Sequence, residues 1–114
     1  MRRLLEFSDR CMEDSLKPQE CAVRLKALAD PDRLRIVERL RAGHQNVSEL
    51  AEALEMELAN VSHHLGILRQ AGIVETEKQG RFAINRLHPD VFSSAAGART
   101  IDLGCCKLEL PKQT

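Results

Sequence analysis

A small, mainly helical domain closed by one β-hairpin is the fold class that this sequence predicts. Three observations carry the prediction. Apolar side chains recur at a helical period in successive segments between residues 4 and 71. Between residues 73 and 87 the period drops to two around a glycine-centred turn. The chain has 114 residues, 43% of them hydrophobic, enough for one compact core and too few for two comfortable domains.

The elements follow in order. Residues 4–16 place Leu4, Phe7 and Cys11 at i, i+3 and i+7, with Leu5, Met12 and Leu16 beside them, as in a short amphipathic helix. Pro18 suits a first-turn position, and Cys21, Leu25 and Leu28 then share one face of a helix expected to run to about residue 29. Asp30-Pro31 supplies an N-cap and a first-position proline for a third helix. Its stripe is Leu34, Ile36, Val37 and Leu40, and Gly43 is its expected stop. Asn46-Val47-Ser48-Glu49 has the form of a capping box and opens a short helix bearing Leu50, Ala51 and Leu54. A further helix over residues 58–71 buries Val61, His64, Leu65 and Leu68 and turns Asn60, Ser62, His63 and Arg69 away from the core. Val74 and Thr76 then alternate with charged residues, Lys78-Gln79-Gly80-Arg81 turns the chain, and Phe82 and Ile84 resume the alternation. Helix, helix, helix-turn-helix and hairpin make a winged helix-turn-helix, a fold whose second motif helix can enter the major groove.

Composition narrows the functions. Seventeen basic residues balance seventeen acidic ones, so a nucleic-acid partner must be drawn by a local basic surface. With 3% aromatic residues and neither Trp nor Tyr, stacking platforms for unpaired bases are scarce, which disfavours single-strand binding. No stretch approaches the roughly 20 apolar residues of a bilayer span. The start Met1-Arg2-Arg3-Leu4-Leu5-Glu6 lacks the apolar core of a secretory signal, so the expected location is cytoplasmic. There the four cysteines, Cys11, Cys21, Cys105 and Cys106, are expected to begin as free thiols.

Over about residues 20–88 the chain resembles the ArsR/SmtB family of small metal-responsive repressors. The resemblance lies in Val61-Ser62-His63-His64-Leu65-Gly66-Ile67-Leu68-Arg69-Gln70-Ala71-Gly72-Ile73-Val74, preceded by Ala27-Leu28-Ala29-Asp30-Pro31-Asp32-Arg33-Leu34-Arg35-Ile36 and followed by a wing ending in Asn85-Arg86-Leu87. It implies a homodimer that binds an inverted-repeat operator in double-stranded DNA and leaves it when an inducer binds. On this reading Asn60, Ser62 and His63 reach base edges or phosphates. Lys78, Gln79 and Arg81 at the wing tip meet the backbone or minor groove, and Arg69 is a further phosphate contact. A solvated helix face and a hydrated hairpin tip are the plain alternatives for these residues. Glu57 and Leu58 depart from the family, which usually has small polar residues there.

Two inducer sites known in the family are missing. Asn46 and Ser48 stand where one needs cysteines, and His88-Pro89-Asp90 replaces the Asp-x-His pair of the other. Thiols remain. Pro89-Asp90 is expected to start a short helix through Val91 and Phe92, after which the tail turns strand-like. Its apolar phase flips at Cys105-Cys106, which a bulge or turn near Gly104 would explain. The chain thus divides into an N-terminal extension (1–17), a winged helix-turn-helix domain (18–88) and a cysteine-bearing tail (89–114).

Cys105 and Cys106, joined by Cys11 or Cys21 from the same or the partner protomer, form the candidate metal site. Thiolates are soft ligands, and arsenical-responsive members of the family use similar arrangements. As(III) is therefore the favoured inducer, with Cd(II), Pb(II), Zn(II) and Cu(I) as other thiophilic ions that suit the set. Cys21 and Cys11 also fit as small apolar residues on their stripes, and the tail pair as incidental thiols. A redox or reactive-sulfur sensor, pairing a tail cysteine with Cys11 or Cys21, is the alternative regulator. A thiol redox or metal-buffering protein that ignores DNA is the alternative of another class. No nucleophile–base pair points to an enzyme.

Overall fold

The computed structural model describes residues 18–91 and 100–109. The helix expected over residues 4–16, with Cys11, lies outside the described residues, as does Phe92. Helix α1 (Pro18–Leu28) opens on its proline and buries Ala27 and Leu28. Helix α2 (Pro31–Arg41) is capped by the Asp30 carboxylate, which accepts from the backbone N–H groups of Asp32 and Arg33, and it buries Ile36, Val37 and Leu40. It stops short of Gly43 because the N–H groups of Ala42 and Gly43 tighten onto the carbonyls of Arg39 and Leu40.

Strand β1 (Gln45–Asn46) runs straight into helix α3 (Val47–Leu54). Asn46 and Glu49 form a reciprocal capping box, each side chain accepting from the other's backbone N–H at 2.8 Å. Glu55, at φ 55, takes the left-handed turn that ends α3. Helix α4 (Leu58–Gln70) follows and buries Val61, Leu65 and Leu68 against the rest of the core. Removing each such side chain from water contributes about 1.5–3 kcal/mol.

Strands β2 (Val74–Gln79) and β3 (Phe82–Leu87) pair antiparallel from Val74↔Leu87 to Gln79↔Phe82, and Gly80, at φ 65, supplies the turn. β1 adds to the free edge of β3 through Gln45↔Asn85 and Asn46↔Ile84, giving the order β1-β3-β2. Four helices and this wing form the winged helix-turn-helix expected from the sequence.

The tail is a second hairpin, β4 (Thr100–Asp102) paired with β5 (Lys107–Glu109). Ile101 and Leu103 are fully buried in the main core, so the hairpin belongs to the domain. The flip of apolar phase is a turn at Gly104, at φ 91, closed by Leu103 N–H donating to the Cys106 carbonyl.

Where a short helix was expected from Pro89, residues 89–91 form a turn, and the remainder of that stretch lies outside the described residues. Val91 N–H bonds back to His88, and the Val91 carbonyl accepts from Asp102 N–H at 2.9 Å. That carbonyl is thus committed to the tail hairpin. Among the described residues, no helix is long and apolar enough to cross a membrane.

Candidate nucleic-acid interface and sulfur cluster

Helix α4 follows α3 after a three-residue turn, and its outward side is polar. Asn60, Ser62 and His63 are exposed there, as their helical phase predicts. His64 corrects the simple stripe. Its ring is half-buried, and Arg33 donates to its Nδ1 at 3.1 Å. A guanidinium is only a donor, so Nδ1 accepts and the ring proton sits on Nε2, facing an Asp32 oxygen 3.9 Å away. Asp30, Asp32 and His64 do bring their ligand atoms within 4.8 Å of one another. With Arg33 on one ring nitrogen and the proton on the other, the His64 ring clasps α2 to α4 and has no lone pair left for a cation. Contacts with the Arg33 and Asp32 backbone, the Arg33 bond foremost, hold the Asp30 carboxyl below the ordinary carboxylate range.

A chain of hydrogen bonds fixes the wing to α4. Arg69 donates to the Thr76 hydroxyl at 3.2 Å, and Thr76 donates to the Asn85 carbonyl oxygen at 2.8 Å. The Asn85 amide donates at 3.2 Å to the carbonyls of Gln45 and Ala83. Asn85 is 1% exposed, the buried polar node through which β1, β2 and β3 meet. The sequence marks Asn85 only as part of the end of the wing, because the partners that make it a node come from Gln45 and Thr76, distant in the chain. The Arg69 guanidinium is therefore partly engaged with the wing.

At the wing tip Lys78, Gln79 and Arg81 are all exposed. The Arg81 guanidinium lies 5.7 Å from the Phe82 ring centroid. Arg86 is instead spent on Glu75 and Glu77, at 2.8 and 3.0 Å, and the Glu75 carboxylate raises its pKa. On the wing itself the exposed cations without an ion pair among the described residues are Lys78 and Arg81.

Among the described residues, three cysteines converge where α1 meets the tail turn. Cys21, in its first turns, is disulfide-bonded to Cys105 in the tail turn, with Cα atoms 5.9 Å apart, correcting the expectation that all four thiols are free. Cys106 is the free neighbour. The three sulfurs lie within 4.8 Å of one another and are half-buried. Two of them come from the tail and one, Cys21, from α1; Cys11, the other expected partner, lies outside the described residues. Arg24 reinforces the junction by donating to the Leu103 carbonyl at 3.4 Å.

Residues 30–76, which hold α2 to the start of the wing, match the family model of bacterial regulatory proteins of the arsR family. The transcriptional repressor SdpR of Bacillus subtilis is 31% identical over 61% of this chain and 78% of its own length. The chain belongs to the ArsR family. Another relative is the HTH-type transcriptional regulator NmtR of Mycobacterium tuberculosis, 43% identical over 66% of this chain. The matched segment spans only 62% of NmtR. Among solved structures, the homodimeric winged helix-turn-helix DNA-binding domain Mb0332 of Mycobacterium bovis superposes with TM-score 0.60 at 33% identity, covering 61% of this chain and 65% of that one.

Proposed function

We propose that this ArsR-family regulator is a homodimeric repressor that binds an inverted-repeat operator through α4 and the wing and is released when its sulfur cluster takes up a thiophilic metal(loid), As(III) first among the candidates. The observation that carries the switch is the convergence of Cys21, Cys105 and Cys106. In a helix-turn-helix protein, a cluster tying the first described helix to the tail can make ligand binding depend on how those elements are arranged. Asn60, Ser62 and His63 are the base-facing set, with Lys78, Gln79 and Arg81 on the backbone. Homodimerisation is supported by the Mb0332 domain and by the geometry of two recognition helices one helical turn apart.

The donor set fits the ligand. A metal–thiolate bond of about 2.3 Å lets two sulfurs on one ion stand up to about 4.6 Å apart, so once the Cys21–Cys105 bond is reduced three neighbouring sulfurs need only small shifts to share an ion. Three soft donors without histidine or carboxylate suit As(III), Cd(II), Pb(II), Zn(II) or Cu(I) and disfavour hard cations. Reduction of the Cys21–Cys105 bond, two electrons and two protons from a thiol reductant, must come first.

That bond itself favours a second reading, a thiol redox switch in which oxidation to Cys21–Cys105 sets operator affinity and Cys106 remains the accessible thiol. One experiment separates the two. Protein reduced with a phosphine is titrated with arsenite, Cd(II), Pb(II), Zn(II) or Cu(I) while its upstream duplex is followed by anisotropy, and a parallel sample is oxidised without metal. Release by arsenite, lost in Cys105→Ser/Cys106→Ser, supports the metalloid reading. Release by oxidation alone supports the redox reading. Absence of salt-sensitive duplex binding in every state contradicts both and favours a protein that does not act on DNA.

A further inference from the structure

We propose that Glu57 and Leu58, at the tip of α4, read pyrimidines in the major groove: Leu58 packs on a thymine 5-methyl group and the Glu57 carboxylate accepts from a cytosine amino group. The inference rests on the DNA-binding reading above and adds the residues that set operator sequence.

Leu58 is the first residue of α4 and is 54% exposed, so a large apolar side chain stands in water at the end of the helix that enters a groove first. It lies one helical turn before Ser62, on the same outward line of α4. Between and beyond them Ala59 and Gly66 add no bulk, and the helix can approach the base edges closely. The one apolar feature on the floor of the major groove is the thymine methyl, for which a leucine is a suitable partner.

Glu57 holds the N-cap position of α4, yet its side chain makes no capping bond. The caps of α2 and α3 behave differently, since Asp30 and Asn46 both accept from their own helices. The Glu57 carboxylate is exposed and enters no ion pair among the described residues. A carboxylate set among phosphates lowers affinity for every duplex. It is tolerated where it finds a donor, and in the major groove cytosine itself presents only a donor, N4–H, whereas guanine at that place presents only acceptors. Glu57 therefore selects chiefly by rejecting purine acceptors, and Leu58 by gaining a methyl contact.

The test begins with selection of bound duplexes from a randomised pool by the full chain. Each thymine of the selected half-site is then replaced by uracil, which removes the methyl group alone. The wild type is expected to lose about fourfold in affinity at one position per half-site, equivalent to ~0.8 kcal/mol for one buried methyl. Leu58→Ala is expected to be indifferent to uracil at that position, with an unchanged dependence of binding on salt. Glu57→Gln is expected to bind all duplexes more tightly and to lose about tenfold in preference for cytosine. Selective binding with no uracil-sensitive position that Leu58→Ala cancels, or with cytosine preference intact in Glu57→Gln, overturns this inference alone. No duplex selected at all overturns the DNA-binding reading, and this one with it.

Discussion

Breaking the Cys21–Cys105 link is expected to cost the oxidised protein much of its stability. The bond closes a loop across 84 residues. Chain-entropy accounting for a loop of that size gives about 15 cal/mol/K, or ~4.5 kcal/mol at room temperature, as the ceiling of the effect. Native geometry does not oppose it, since a Cα separation of 5.9 Å is ordinary for a disulfide. The linked tail also carries Ile101 and Leu103, both fully buried, into the core. Urea denaturation at fixed protein concentration measures the effect in four samples: oxidised wild type, reduced wild type, Cys21→Ser and Cys106→Ser. Oxidised wild type and Cys106→Ser are expected to unfold together, at higher urea and with a smaller m value. Reduced wild type and Cys21→Ser should unfold together at lower urea. Equal stability of Cys21→Ser and oxidised wild type would refute the reasoning. So would peptide mapping that pairs Cys105 with Cys106 or with Cys11.

Three further outcomes follow from the same structure. Asn85→Ala strands the Thr76 hydroxyl and two backbone carbonyls, so stability should fall by about 2 kcal/mol in thermal or urea unfolding, and an unchanged midpoint would contradict the role given to the node. The Asp30 pKa lies lower folded than unfolded, so the ionised carboxylate stabilises the fold above the ordinary carboxylate pKa, and that contribution disappears as pH falls through the folded value. Asp30→Asn keeps an acceptor at the cap but cannot titrate, so its stability should fall less steeply than wild type below about pH 4, and parallel pH curves would count against this. Lys78→Ala and Arg81→Ala should each reduce the salt slope of operator binding by about one phosphate contact without changing sequence preference. Identical slopes would place the wing tip off the DNA.

Much of the fold was legible because its signals are local. Asp30-Pro31 and the Asn46–Glu49 box are side chains that satisfy backbone groups within one turn, so sequence spacing alone locates the starts of α2 and α3. Features made by distant partners were not legible. Strand β1 has two residues and no alternation to read, and it exists because Gln45 and Asn46 pair with Asn85 and Ile84. The turn at Pro89 is tied to the tail hairpin by the bond from Asp102 N–H to the Val91 carbonyl, a contact that local spacing does not record. Helical phase put His64 on the buried stripe, but only the fold brings Arg33 to its ring. The cysteine chemistry was readable as a class of thiol donors. The pairing of Cys21 with Cys105 depends on where the tail hairpin docks, which no spacing records. Glu57 and Leu58 were visible as departures from the family, and their exposure at the tip of α4 is what the fold adds.

Operator occupancy of a Ser62→Ala/His63→Ala variant, compared with wild type across a salt series on specific and scrambled duplexes, bears most directly on the account. Loss of at least about tenfold in specific binding is expected, while the variant stays folded and keeps the weak, salt-dependent binding to scrambled DNA. Undiminished preference for the operator in that variant would contradict the claim that α4 reads the bases.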